Sequence, residues 1–250
     1  MTVLVFLKSL DLSDAGALKH GLQAIFPDAT IGTDDLMPPY LFREGECLCV
    51  IMHVGAPAPL QPSDPEIKNA RLWPSAWGDI RAHRSHLIVT VAGGSDPVKR
   101  ALLVQRLLAA IFQSGDDAIG TVCPQSGALL PRKAVLDLVV QSDQVGIPLF
   151  ISCFFANEKR RLFSKSGILC STKGLSQFNL TEVEARRFAG TVANLHLFVF
   201  GFCSYLITSR PDIRDGHTIG ISATQKIPVK IERSLFYPDQ IYSLQFATRA

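Results

Sequence analysis

A strand, a break and a helix follow one another without interruption in residues 86–115, HLIVTVAGGSDPVKRALLVQRLLAAIFQSG. His86 to Val91 is a β-branched apolar run that Gly93 and Gly94 break. Asp96 suits a helix N-cap and Pro97 the first helical position. From Val98 to Phe112 the only polar positions are Lys99, Arg100, Gln105 and Arg106. A helix this apolar has to lie deep against a sheet, and the rest of the chain is read as organised around that packing.

A chain of 250 residues, 47% hydrophobic and 19% charged, can bury a core without disulfide or metal staples. Its net charge of +3 points to neither nucleic acid nor an anionic membrane surface. Cys47, Cys49, Cys123, Cys153, Cys170 and Cys203 sit mostly inside apolar runs and form no dense framework, so free thiols in a reducing compartment are expected. The stretch MTVLVFLKSLDLSDAG has no basic leader or small-residue cleavage site and reads as a first strand, which implies a cytoplasmic protein.

Residues 2–7 read as a strand, and a helix starting at Ser13 carries Leu18, Leu22, Ile25 and Phe26 on one stripe before Pro27 ends it. A strand region begins at Ile31-Gly32-Thr33, Met37-Pro38-Pro39 interrupts it, and residues 47–54 form a longer strand. The proline-rich stretch 56–65 is an extended connection, and residues 67–84, with Trp73 and Trp77, cover one end of the sheet. Residues 131–141 form a short amphipathic helix, 148–155 a strand, and 164–177 a hairpin and loop. Thr181-Glu182-Val183-Glu184 matches a capping box, opening a helix that runs on through the nearly uncharged residues 188–207. That run is long enough to span a membrane, but Thr191, Asn194, His196 and Ser204 within it favour a buried core helix. Strands at 218–222, 227–231 and 241–246 close the chain. The fold expected is α+β (mixed α/β): repeated β-α-β units with mixed, largely antiparallel sheets and a C-terminal antiparallel β region. It is read as a single compact domain over 1–250, with pseudo-repeat units 1–55, 85–145 and 147–250.

Trp73-Pro74 with Trp77, the strand Ser85 to Val91, Ile147-Pro148-Leu149, Thr172-Lys173-Gly174-Leu175 with Phe178, and Glu182 to Glu184 form a recurring order. Asp215-Gly216-His217-Thr218-Ile219-Gly220 and Ile241-Tyr242-Ser243-Leu244 complete it. In this order the chain resembles the bacterial family known as domain of unknown function 4261, with the Asp-Gly-x-Thr-Ile-Gly turn the most specific part. The resemblance implies no established activity. Some similar proteins lie near secreted polymorphic toxins or type VI secretion genes, which implies an immunity or adaptor role.

Several constellations carry possible chemistry. His83-x-x-His86 places two imidazoles at metal-binding spacing without a third ligand pattern, and Cys47-x-Cys49 lacks the second pair that zinc requires; no metal is expected. Asp215, His217 and Thr218 bring an acid, an imidazole and a hydroxyl to one turn, although Gly216 makes a plain structural turn the simpler account. Gly93-Gly94-Ser95-Asp96 lacks the Lys-Ser/Thr of a phosphate loop and the spaced glycines of a dinucleotide site, so no cofactor is expected. Lys159, Arg160, Arg161, Lys165, Lys173, Arg186 and Arg187 form the one basic concentration. No catalytic residue is assigned. The reading is a non-enzymatic, cytoplasmic protein-binding protein, most concretely an immunity or adaptor protein for a secreted toxin, with no nucleic acid or membrane favoured as partner. Its partner-binding candidates are Lys159, Arg160, Arg161, Phe163, Asp215 and His217. The alternative is an enzyme or a small-ligand or metal sensor centred on Asp215 to His217.

Overall fold

The computed structural model describes residues 1–12, 15–31, 38–139, 143–158, 167–220 and 226–246. The chain divides into two compact units, Met1–Phe150 and Ile151–Ala250. Its helices and its two sheets, one antiparallel and one mixed, make the fold α+β.

In chain order the first unit runs β1 (Thr2–Leu7), α1 (Ala15–Ile25), β2 (Tyr40–Glu44), β3 (Cys47–Val54), α2 (Pro65–Lys68) and α3 (Ala76–Ile80). It continues with β4 (Ser85–Gly93), α4 (Pro97–Gln113), β5 (Ala118–Cys123), β6 (Ala128–Pro131), α5 (Arg132–Val139) and α6 (Ile147–Phe150). Its strands make one sheet in the order β2-β3-β4-β1-β5-β6, every neighbouring pair antiparallel. Helix α4 starts as its sequence dictates, with the Asp96 carboxylate accepting the Val98 N–H at 2.8 Å. Leu103, Val104, Leu107, Leu108, Ile111 and Phe112 are buried along it. Gln105 is buried as well, and its amide is satisfied by the Gly146 N–H at 2.7 Å and the Gln144 carbonyl at 3.1 Å.

Alternation along β1, β3 and β4 puts Val3, Val5, Cys49, Ile51, Val89 and Val91 on one fully buried face. On the opposite face Phe6, Val122 and Leu129 are covered by Ala58, Trp73, Ala76 and Ile80, so the tryptophan segment covers a face of the sheet where the sequence reading put it at one end. Trp73 packs so closely on β5 that a Cβ at Gly120 would sit 2.4 Å from its ring and 2.5 Å from the Leu130 carbonyl.

The second unit runs β7 (Ser152–Glu158), β8 (Gly167–Lys173), a 3-10 turn (Leu175–Phe178), β9 (Val183–Phe188), α7 (Val192–Ser209), β10 (Thr218–Gly220), β11 (Lys226–Arg233) and β12 (Gln240–Gln245). The sheet order is β10-β11-β12-β9-β8-β7, parallel only between β12 and β9. Leu195, Val199, Phe202, Cys203, Leu206 and Ile207 form the buried stripe of α7.

The structure corrects several sequence expectations. No helix opens at Thr181, because Val183, Glu184 and Ala185 are wholly buried in strand β9 and Glu182 and Glu184 hold backbone and side-chain donors. The helix begins ten residues later, with Thr191 Oγ1 accepting the Asn194 N–H at 3.2 Å. Residues 147–150 form the helical turn α6, and the expected strand starts only at Ser152. For the repeated β-α-β plan, β4 and β5 flank β1 as parallel strands joined by α4, while the returning strand expected at Ile31-Gly32-Thr33 in the first unit falls largely outside the described residues, so the repetition is not established. Ser13, Gly32, Thr33 and Met37 lie outside the described residues.

The Gly120 contact gives a direct test. Gly120→Ala forces Trp73 or β6 to move and is expected to lower unfolding free energy by ~1–3 kcal/mol, read by urea titration with an unchanged m-value.

Candidate functional site

Residues 171–185 are held by one carboxylate after another. Thr172 Oγ1 accepts the Val183 N–H at 2.8 Å and donates to Glu182 at 2.7 Å; Glu182 in turn accepts the amides of Gly174 at 2.8 Å and Ser176 at 3.2 Å. Gly174 has φ +127°, a conformation open to glycine and strained for other residues. Glu184 has no solvent exposure, yet every lone-pair direction is answered. Arg186 bonds one oxygen through two nitrogens, at 2.7 and 3.2 Å, and the Ser234 hydroxyl and the Leu235 N–H (3.0 Å) bond the other. Arg186 also reaches Glu232 at 2.7 Å, and Gln245 joins Glu232 at 3.0 Å. This network ties β9, β11, β12 and the 234–237 turn together. It is a structural lock, with no open position for a ligand at Glu184.

The Asp215 to His217 turn is likewise built from backbone bonds. Gly216 takes φ +80°, its N–H donates to Val229 at 2.9 Å, and Val229 donates to the His217 carbonyl at 2.8 Å. Asp215 Oδ1 accepts the Ile231 N–H at 2.8 Å, where β11 runs beyond the end of β10. His217 Nδ1 accepts the Arg214 N–H at 3.2 Å, so in the neutral ring the proton sits on Nε2, which remains a donor. Asp215 is therefore engaged inside the turn, and His217 presents one donor.

His217 borders a groove of about 590 Å³. Leu197, Phe198, Gly201, Phe202 and Tyr205 of α7 form one wall; Ile213, His217 and β10 form the other. Leu197 is 73% exposed and Tyr205 48%, so the outer side of α7 stays apolar in contact with solvent. The buried-core-helix expectation holds for one side of α7 only; a third of its 18-residue apolar window is buried, and by length and composition alone the helix matches a membrane span. A Cβ built on Gly201 would meet nothing within 4 Å. Glycine in mid-helix costs about 1 kcal/mol relative to alanine, and no packing within the described residues requires it here. Among the described residues, sequence reasoning found the His217 side of this groove and missed the α7 side, whose only signal was the uncharged length of the helix with Gly201 at its middle.

The remaining candidates fall elsewhere. Lys159, Arg160, Arg161, Phe163 and Lys165 lie outside the described residues. Arg186 is committed to Glu184 and Glu232. His83 and His86 are both buried and serve the proline-rich connection of the first unit. His83 Nδ1 donates to the Ile80 carbonyl at 2.5 Å while Nε2 accepts the Ala58 N–H at 2.7 Å, and His86 Nδ1 donates to the Ala56 carbonyl at 2.8 Å. Among the described residues no group of three or more His, Cys, Asp or Glu is arranged to hold a metal. All six cysteines are buried and none forms a disulfide. Burial pushes the Cys49 thiol up to about 12 and raises Cys153 and Cys203 as well, which makes them poor nucleophiles.

Residues 171–245 match the family described as "Domain of unknown function (DUF4261)". The resemblance seen in the sequence is thereby established for this segment, which contains the Glu182 and Glu184 locks, the Asp215 turn and the groove. No curated relative and no solved structure matches the chain.

Burial lowers the His83 pKa below its ordinary 6.5, aided by the nearby His86 charge and opposed by the bond to Ile80. The folded state then resists a proton that the unfolded state accepts. Its contribution to stability is complete above about pH 6.5 and declines as the pH falls through and below that value. His83→Gln keeps an acceptor for Ala58 and is expected to flatten the loss of unfolding free energy between about pH 7 and pH 5 relative to wild type, read by urea titrations across that range.

Proposed function

We propose that this chain is a non-enzymatic protein-binding protein, most concretely a cytoplasmic immunity or adaptor protein that binds and neutralises or escorts a secreted toxin of the type VI or polymorphic kind. The observation that carries the reading is the α7 groove, an exposed apolar surface beside a rigid turn. Large exposed apolar side chains gathered in one place mark interaction surfaces, whereas singly scattered ones do not. Leu197, Gly201 and Tyr205 follow one another at i, i+4 and i+8, which sets them along one side of α7. Such a surface supplies the aromatic and aliphatic anchors that dominate protein association.

The second reading, an enzyme or small-ligand sensor at Asp215 to His217, draws support from His217 bordering the same groove. Against it stands the engagement of Asp215 with the Ile231 amide, which leaves the imidazole without a carboxylate partner in the turn.

The test is a tagged pull-down from the source cells at moderate salt, comparing wild type with Leu197→Asp. Leu197 is mostly exposed, so the substitution spares the fold while placing a charge in the groove. The expected outcome is a stoichiometric protein partner for wild type and an affinity loss of about tenfold to a hundredfold for the variant. A partnerless wild-type protein, or equal capture by both, contradicts the reading.

A further inference from the structure

We infer that the groove takes an extended, uncharged segment of the partner protein as an additional strand on the free edge of β10, with its bulky apolar side chains seated over Gly201. This rests on the protein-binding reading above and names the chemistry of what is bound.

Three observations converge. First, β10 is the terminal strand of its sheet, and among the described residues it pairs with β11 alone. The Val229 N–H donated to the His217 carbonyl sets the alternation, so two residues on, Ile219 turns its N–H and C=O toward Ile227. Thr218 and Gly220 therefore direct theirs away from the sheet. Gly220 also borders the groove, and having no side chain it does so through its backbone. An extended segment satisfies such an edge by main-chain bonds, and alternate side chains supply specificity.

Second, the groove has room its own fold does not use. Ile219 shares a face with Ile227 and Val229, so a residue paired opposite Ile219 on an added strand points to the α7 side. The open space above Gly201 lies there. The volume of about 590 Å³ accommodates a few bulky side chains.

Third, charge selects the occupant. α7 carries no Asp, Glu, Lys or Arg from Val192 to Ser209. Among the described residues, the one carboxylate bordering the groove, Asp212, is paired with Arg214 at 2.6 Å. An uncharged segment loses nothing there, while a charged one would forfeit its hydration without a free counter-charge. A second copy of this chain fits less well, since edge-to-edge pairing of two β10 strands delivers only another Ile219 to the space.

The probe is a library of capped octapeptides with threonine at alternate positions and Leu, Ile, Val, Phe or Tyr at the others, screened against the full chain by fluorescence anisotropy. Thr218→Pro removes an outward N–H that β11 does not use, a position where proline is tolerated on an edge strand. Gly201→Trp fills the space without meeting a neighbour at Cβ. The expected result is saturable binding that each substitution weakens about tenfold or more, and that N-methylation of the peptide's alternate amides abolishes. Binding unaffected by Thr218→Pro and N-methylation would mean simple apolar uptake and overturns strand addition. So does a wild-type dimer that Thr218→Pro dissolves, which would make the second copy the occupant. A library without a binder, alongside partner capture that still responds to Leu197→Asp, overturns strand addition and leaves the protein-binding reading intact; loss of both removes both.

Discussion

A carboxylate sealed from water must find all its hydrogen bonds inside the protein or lose its charge. Glu184 meets that demand with Arg186, the Ser234 hydroxyl and the Leu235 amide. The consequence spreads outward. β9 has to lie beside β12 so that Arg186 can also meet Glu232, and the turn after β11 has to fold back over Glu184. Removing one partner would leave a buried charge uncompensated, at a cost of about 3–5 kcal/mol. Glu182 applies the same logic to the turn at Gly174, and Asp215 to the open amide of Ile231. The three acidic residues that stand out in residues 171–245 thus hold backbone in place, and chemistry does not need to be invoked for them.

With those locks closed, the second unit has one side of α7 committed to its core and the other free. The same helix buries Leu195, Val199 and Phe202 and exposes Leu197 and Tyr205. An apolar outer side and a mid-helix glycine each oppose stability or solubility in isolation. Both are accounted for when the space between α7 and β10 is a place where another chain is received.

The sequence was most legible where local patterns and tertiary packing agree. Asp96, Pro97 and the apolar run after them specify α4 almost to the residue, because cap, helix start and burial all speak locally. Thr181 to Glu184 shows the opposite case. Glu182-Val183-Glu184-Ala185 within the capping-box match also alternates as a strand does, and what decided between them was the distant Ser234, Leu235 and Glu232, whose proximity no local pattern reveals. The true cap, Thr191, has Asn194 rather than Glu at its third position and so gave a weaker signal. The Asp215 turn was readable from Gly216, but the groove it borders was not. That groove exists only because β10 returns beside α7, and its clearest trace in the sequence is the glycine at 201.

The most direct measurement of whether the α7 groove receives a protein is site-specific photo-crosslinking in the source cells, with Tyr205→p-benzoylphenylalanine as the reporter and Gln61→p-benzoylphenylalanine, on an exposed loop of the first unit, as the control. The account predicts one discrete covalent adduct from position 205 that position 61 does not form. No adduct at 205, or the same adducts from both positions, would contradict it.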